Sequence, residues 1–282
     1  MNKIFIIPTF LSNFLKELIE EIKKDDLISV ANDLTYKIFF SMFPFLIFLI
    51  SIAGFFELDE SYLVEQFYLL LPETIHEPIN IFASEVIGAR NPGVLSLSLL
   101  LSMWSASWGF GTARKSINKA YGYRDSRNII KKILINMASV IVFSAIIIIS
   151  FIMLIFGDSI LNFLYVNFYV NENILPLFSA LRYCAAIAAI FFAVLTINKM
   201  SISQSVSGKS LVPGAVFTVV SWIAVSKLFN IYIKNFTKYS NVYGSLAGII
   251  VFMLWLNILC ITLLLGSEVN VVKSKISIGD FR

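Results

Sequence analysis

The chain has 282 residues, of which 58% are apolar and only 14% charged, with 22 Lys/Arg against 18 Asp/Glu and a net charge of +4. Soluble domains carry roughly a quarter charged residues, so these few charges cannot coat a water-facing surface. A soluble enzyme, a disordered chain and a fibrous protein are excluded together, and the mean hydropathy of +0.82 points to the membrane. The fold class expected is all-α, a polytopic membrane protein with six transmembrane helices plus N-terminal and external amphipathic helices.

Residues 1–33 read as a cytoplasmic amphipathic segment. From Pro8 to Lys24, Phe10, Phe14, Leu18 and Ile22 recur at every fourth position, with Lys16, Glu17, Glu20, Glu21 and Lys23 around the rest. Such a stripe suits a helix packed on the bundle or lying at the membrane surface. No cleavable signal peptide is apparent in the opening residues.

A six-span transmembrane domain is expected over residues 34–272, with a tail over 273–282. A bilayer core of about 30 Å needs roughly 20 apolar helical residues. Six runs qualify: Leu34–Phe56, Val94–Gly111, Ile133–Phe156, Leu177–Ile197, Val212–Ile233 and Ser245–Val269. Between the first two, residues 57–92 carry seven acids and two helical stripes, so external amphipathic helices with a solvated acidic face are expected there. Residues 112–132 form a basic loop with seven cations and the acid Asp125.

Sixteen of the Lys/Arg residues fall on the side of the N-terminus, the basic loop, the fourth connection and the tail. Positive charge stays inside, so both termini should be cytoplasmic and the protein multi-pass in a bacterial inner membrane. Arg114, Lys115, Lys119, Arg124, Arg127, Lys131 and Lys132 would set this topology. They would also meet anionic lipid headgroups, at about 1 kcal/mol per basic residue near the surface.

Ionisable or special groups inside spans are costly and usually face the bundle or a wet cavity. Lys37, Ser41 and Pro44 share one face of the first span, with Asp33 one turn before Lys37. Pro44 frees the carbonyl of Phe40 and should kink the helix. Arg182 and Lys227 either snorkel to the interface or turn inward toward an anionic group. Glu268 stands at the cytoplasmic end of the last span. These six are the candidate substrate-binding residues. Ser98, Ser102, Ser105, Gly109 and Thr112 form a small-residue face suited to close helix packing, with Trp104 and Trp108 on another.

Catalytic signals are missing. The one histidine, His76, excludes a His-rich metal site, and Cys184 and Cys260 lie in apolar runs without a disulfide framework. Asp25 and Asp26 precede the first span with no matching set of ligands nearby in sequence. No catalytic residue, no cofactor and no metal are expected.

Several segments together resemble the YihY/BrkB family of bacterial inner-membrane proteins, formerly mislabelled ribonuclease BN. They are Ala31-Asn-Asp-Leu-Thr-Tyr36, Ser41-Met-Phe-Pro44, Trp104-Ser-Ala-Ser107, Ala120-Tyr-Gly122, Leu211-Val-Pro-Gly-Ala215, Tyr243-Gly-Ser-Leu246 and Leu265-Gly-Ser-Glu-Val-Asn270. The resemblance spans roughly residues 10–275. It implies six helices and a role in envelope integrity, with lipid export associated with some members. The function expected is transporter-like, moving lipid or another anionic amphiphile. The alternative is a non-transporting scaffold for envelope partners. The partners expected are membrane lipids, an envelope protein or a second copy of the chain, and no nucleic acid.

Overall fold

A computed structural model describes residues 6–55, 92–146, 175–236 and 245–279. Among them the chain is entirely helical. The elements are α1 (Ile6–Lys24), α2 (Leu27–Phe55), α3 (Pro92–Ala120), α4 (Ile129–Ile146), α5 (Leu175–Ser201), α6 (Gly208–Phe236) and α7 (Ser245–Gly279). Five helices contain stretches long and apolar enough to cross a membrane, in α3 to α7. The first expected span falls on α2, part of whose side chains lies outside the described residues. The expected external helices of residues 57–92 lie wholly outside them.

The burial pattern is that of a bundle made for lipid. On α3 the small polar residues Ser98, Ser102, Gly109 and Thr112 turn inward, while Leu97, Leu100, Trp104 and Trp108 stay exposed. Without water to exclude, helices associate through close backbone approach, which small side chains permit. Thus Gly109 sits against Ile38 of α2, and α2 and α3 form the most extensive pair. α6 and α7 form the second pair, and α7 also packs on α2 and α1.

The tightest crossing joins α6 to α7. A Cβ on Gly266 would stand 2.7 Å from the Gly214 carbonyl oxygen and overlap the Thr218 hydroxyl. Glycine at both positions lets the two backbones touch, and the Asn270 Oδ1 accepts a 2.7 Å hydrogen bond from the Gly214 N–H. The apolar core lies beside this crossing, built from Leu27, Ala31, Leu34, Ala113, Val194, Ala215, Cys260 and Leu264.

Two left-handed residues redirect the chain at one end of the bundle. Asp26, at φ 51°, ends α1 and turns the chain straight into α2. Aspartate is among the few non-glycine residues that visit this region routinely. Gly122, at φ 69°, ends α3 in a Schellman turn: the Tyr123 N–H donates to the Asn118 carbonyl at 2.8 Å and the Gly122 N–H to that of Lys119 at 2.9 Å.

Candidate functional site

Those two turns, the α5–α6 connection and the last turns of α7 converge on one end of the bundle, here termed the basic end. The Asn118 side chain donates to the Ser201 carbonyl at 2.7 Å and accepts from the Ser203 N–H at 2.8 Å. Arg127 donates to the Met200 carbonyl at 3.2 Å and also to that of Ile202. Arg114, buried at 4% exposure, pairs with Asp125 and donates to the Asn136 Oδ1 at 3.0 Å. Nearby, the Ser267 hydroxyl donates to the buried Asn198 side chain at 2.8 Å. Polar groups cut off from water need such partners, so this end of the bundle is fixed by their mutual satisfaction together with an apolar cluster of Ile117, Ile197, Ile202 and Leu211.

A charged cluster occupies the α1–α7 contact. Glu21, Asp25 and Glu268 are exposed by only 4%, 3% and 2%. One carboxylate oxygen from each lies within 4.8 Å of the others. The i, i+4 spacing of Glu21 and Asp25 puts both on the face of α1 that meets α7. Lys24 Nζ lies 2.9 Å from Glu21, and Lys275 reaches both Glu21 and, at 3.0 Å, Glu17. Burial pushes the Glu21 carboxyl up, but hydrogen bonds from Lys24 and Lys275 outweigh it and hold the group below its ordinary value of 4.5. The same bond to Glu21 raises Lys24 above 10.5. Lys119 donates to the Asp25 backbone carbonyl at 2.9 Å, with its Nζ 3.8 Å from Asp25 Oδ1.

At this end of the bundle several buried polar atoms meet no hydrogen-bond partner among the described residues. They are Asp25 Oδ2, Glu268 Oε2, Asn270 Nδ2, the Tyr121 hydroxyl and the Ser203 hydroxyl. Burial pushes the Tyr121 phenol up to about 12, against an opposing pull from the Asn270 amide. Tyr121 is therefore a neutral hydroxyl at physiological pH.

The chain has the signature of one membrane family. The model of the virulence factor BrkB family matches residues 18–279. The chain belongs to the BrkB family. It is 28% identical over 263 residues to the ribonuclease-like protein YfkH of Bacillus subtilis, covering 93% of this chain and 96% of that one. It is 23% identical over 274 residues to a UPF0761 membrane protein of Vibrio parahaemolyticus, covering 91% and 81% of the two chains. A UPF0761 membrane protein of Pseudoalteromonas translucida matches at 35% over 75 residues, 27% of this chain and 25% of that one. No solved structure matches the chain.

Within this BrkB fold the sequence candidates part company. Lys37 donates to Asp33 and to the Thr112 hydroxyl, both at 2.6 Å, and Thr112 donates to Asp33 at 3.1 Å. The expected one-turn pair is thus present and tied to α3. Ser41 turns its hydroxyl back to the Ile38 carbonyl at 2.7 Å, and α2 continues through Pro44. Lys227 is exposed on the outer surface of α6, while the Arg182 side chain lies outside the described residues. Glu268 is inward, at the α1–α7 contact. Of the basic loop, Lys115, Arg124 and Lys131 stay exposed, whereas Arg114 and Arg127 turn inward to Asp125 and backbone carbonyls.

Sequence reasoning missed the partners of Asp25. The structure supplies them, Glu21 one turn before it and Glu268 from the far end of the chain. A weak signal existed. Glu17, Glu21 and Asp25 follow one another at i+4, a third stripe beside the apolar one.

Proposed function

We propose that this BrkB-family protein is a transporter-like, non-enzymatic component of the bacterial cytoplasmic membrane, acting in envelope integrity and moving lipid or another anionic amphiphile. The observation that carries this is the buried ionisable layer at the basic end of an otherwise apolar bundle. Of that layer Glu268 lies at the end of a span, and an acid within a span marks a path for ions or polar substrates. The chain crosses six times with both termini cytoplasmic, which makes the basic end the cytoplasmic one. Exposed Lys115, Arg124 and Lys131 gather anionic headgroups there, alongside the topology-setting Lys119 and Lys132. Lys37, Ser41 and Pro44 on α2, with Arg182, Lys227 and Glu268, are the residues that handle the substrate. A small cleft of about 210 Å³ between Lys199, Gln204, Ser205 and Leu211 opens at the same end.

The test is reconstitution into vesicles containing a fluorescent phosphatidylglycerol, with transbilayer movement read by quenching of the outer leaflet. The wild-type protein should accelerate movement, and Lys37→Met should slow it. Movement no faster than in protein-free vesicles would overturn transport and leave the scaffold for envelope partners as the better account.

A further inference from the structure

The three buried carboxylates ask for a cation that the surrounding lysines do not supply. Both Glu21 oxygens are taken, one by Lys24 and the other by Lys275. The Lys119 ammonium is half exposed and is spent on the Lys24 and Asp25 backbone carbonyls, standing off Asp25 Oδ1 at 3.8 Å. That leaves Asp25 Oδ2 and Glu268 Oε2, each on a residue more than nine-tenths buried, accepting no hydrogen bond among the described residues. Both residues belong to the cluster in which one oxygen of each carboxylate lies within 4.8 Å of the others. Two carboxylates facing each other away from water are unfavourable unless positive charge stands between them.

The donor set indicates which cation. All ligand atoms are hard oxygens, with no sulfur or imidazole, which excludes a soft-metal site. With Glu21 committed to its two lysines, two carboxylates remain to bind an ion, few for the six to eight oxygens of Ca²⁺. Mg²⁺ keeps several waters and is held through one or two carboxylates. The Tyr121 hydroxyl lies beside Glu268 and within reach of the Asn270 side chain, and a phenol that accepts from Asn270 still has its O–H to give to such a water.

We propose that Asp25, Glu268 and Glu21 form a divalent-cation site of the Mg²⁺ class that clasps α1 to α7. Asp25 and Glu268 bind the ion through their free oxygens, and Glu21 acts at one remove. The site joins the end of α1 to the helix carrying Gly266 and Asn270, so its occupancy governs whether α1 stays docked on the bundle. It does not depend on whether the protein moves lipid.

Manganese is the probe. Protein purified in detergent and stripped with EDTA is titrated with Mn²⁺, and free Mn²⁺ is read by electron paramagnetic resonance. The expected result is one saturable Mn²⁺ per chain, displaced by Mg²⁺, with Asp25→Asn and Glu268→Gln each weakening binding by about tenfold or more. Glu17→Gln, outside the cluster, should leave binding unchanged. Thermal unfolding of the wild type should shift upward on adding Mg²⁺ to the stripped protein. That measurement needs no variant, so it decides the matter even where the variants fail to fold. Absence of saturable Mn²⁺ binding would overturn the proposal. So would binding unaffected by the double substitution, or an unfolding temperature that moves with pH but not with Mg²⁺. The last result would mean that a proton shared by Asp25 and Glu268 supplies the positive charge, with Lys24, Lys119, Lys275, Glu17 and Glu21 as the neighbouring charges.

Discussion

Replacing Gly214 by alanine tests the helix crossing on which the polar layer rests. The added Cβ would overlap the Gly266 carbonyl oxygen and stand 2.5 Å from Asn270 Nδ2. The first obstacle is backbone, so no rotamer change relieves it, and α6 and α7 must separate by roughly 1.5 Å to reach ordinary contact. Overpacking of this kind costs about 1–3 kcal/mol. Separation also lengthens the 2.7 Å hydrogen bond from Gly214 N–H to Asn270, a loss of about 1 kcal/mol. Alanine's better helix propensity returns about 1 kcal/mol. The net is roughly 2 kcal/mol, about a thirtyfold fall in the folded-to-unfolded ratio. Gly208→Ala is the control, because a Cβ there meets nothing within 4 Å. Unfolding in mixed micelles, followed by far-ultraviolet dichroism, should show the Gly214 variant clearly destabilised and the Gly208 variant within about 0.5 kcal/mol of wild type. Equal stability of the two variants would refute the close crossing.

Three further outcomes are expected. Asp125→Ala leaves the buried Arg114 without its counter-charge and should cost about 3–5 kcal/mol in the same unfolding assay; a loss below about 1 kcal/mol would mean that Arg114 is solvated after all. Because the Glu21 carboxyl is held below 4.5 in the folded state, its contribution is complete above that value. It is lost as pH falls through the lower folded value. The protection of α1 amides, measured as deuterium exchange relative to the intrinsic rate at each pH, should therefore fall on acidification, and Glu21→Gln should show low protection with less pH dependence. For the orientation, Arg124→Cys in a Cys184→Ser background should react with a membrane-impermeant maleimide in inside-out vesicles and not in intact cells. Labelling of intact cells would invert the topology.

Much of the bundle is visible in the sequence because lipid imposes so simple a rule. Runs of some twenty apolar residues must be helices, and serine and glycine at helical spacing mark where helices touch. Hence the α3 face of Ser98, Ser102, Gly109 and Thr112 is readable, and so is the Asp33–Lys37 pair. The polar layer is not, for a physical reason. A helical period shows that a helix has faces, but not which face is buried when every face has a prospective partner. On α1 the apolar stripe turns inward, with Phe14, Leu18 and Ile22 half-buried, but Glu21 and Asp25 go inside beside it while Leu15 and Ile19 stay exposed. What decides between the faces is a partner some 250 residues away: Lys275 binds Glu21 and Glu268 meets Asp25. The basic loop misleads in the same way. Arg114 and Arg127 count toward topology by composition, yet Asp125 and the carbonyls of Met200 and Ile202 draw both inward. Two segments that carry the family resemblance, Leu211–Ala215 and Leu265–Asn270, meet at the Gly214–Gly266 crossing. There Asn270 ties α6 to α7, and Glu268 is presented to α1 two residues earlier. The shared residues thus do one structural job. They bring two backbones close enough that a carboxylate at the end of α7 is shut away from water and meets Glu21 and Asp25 instead.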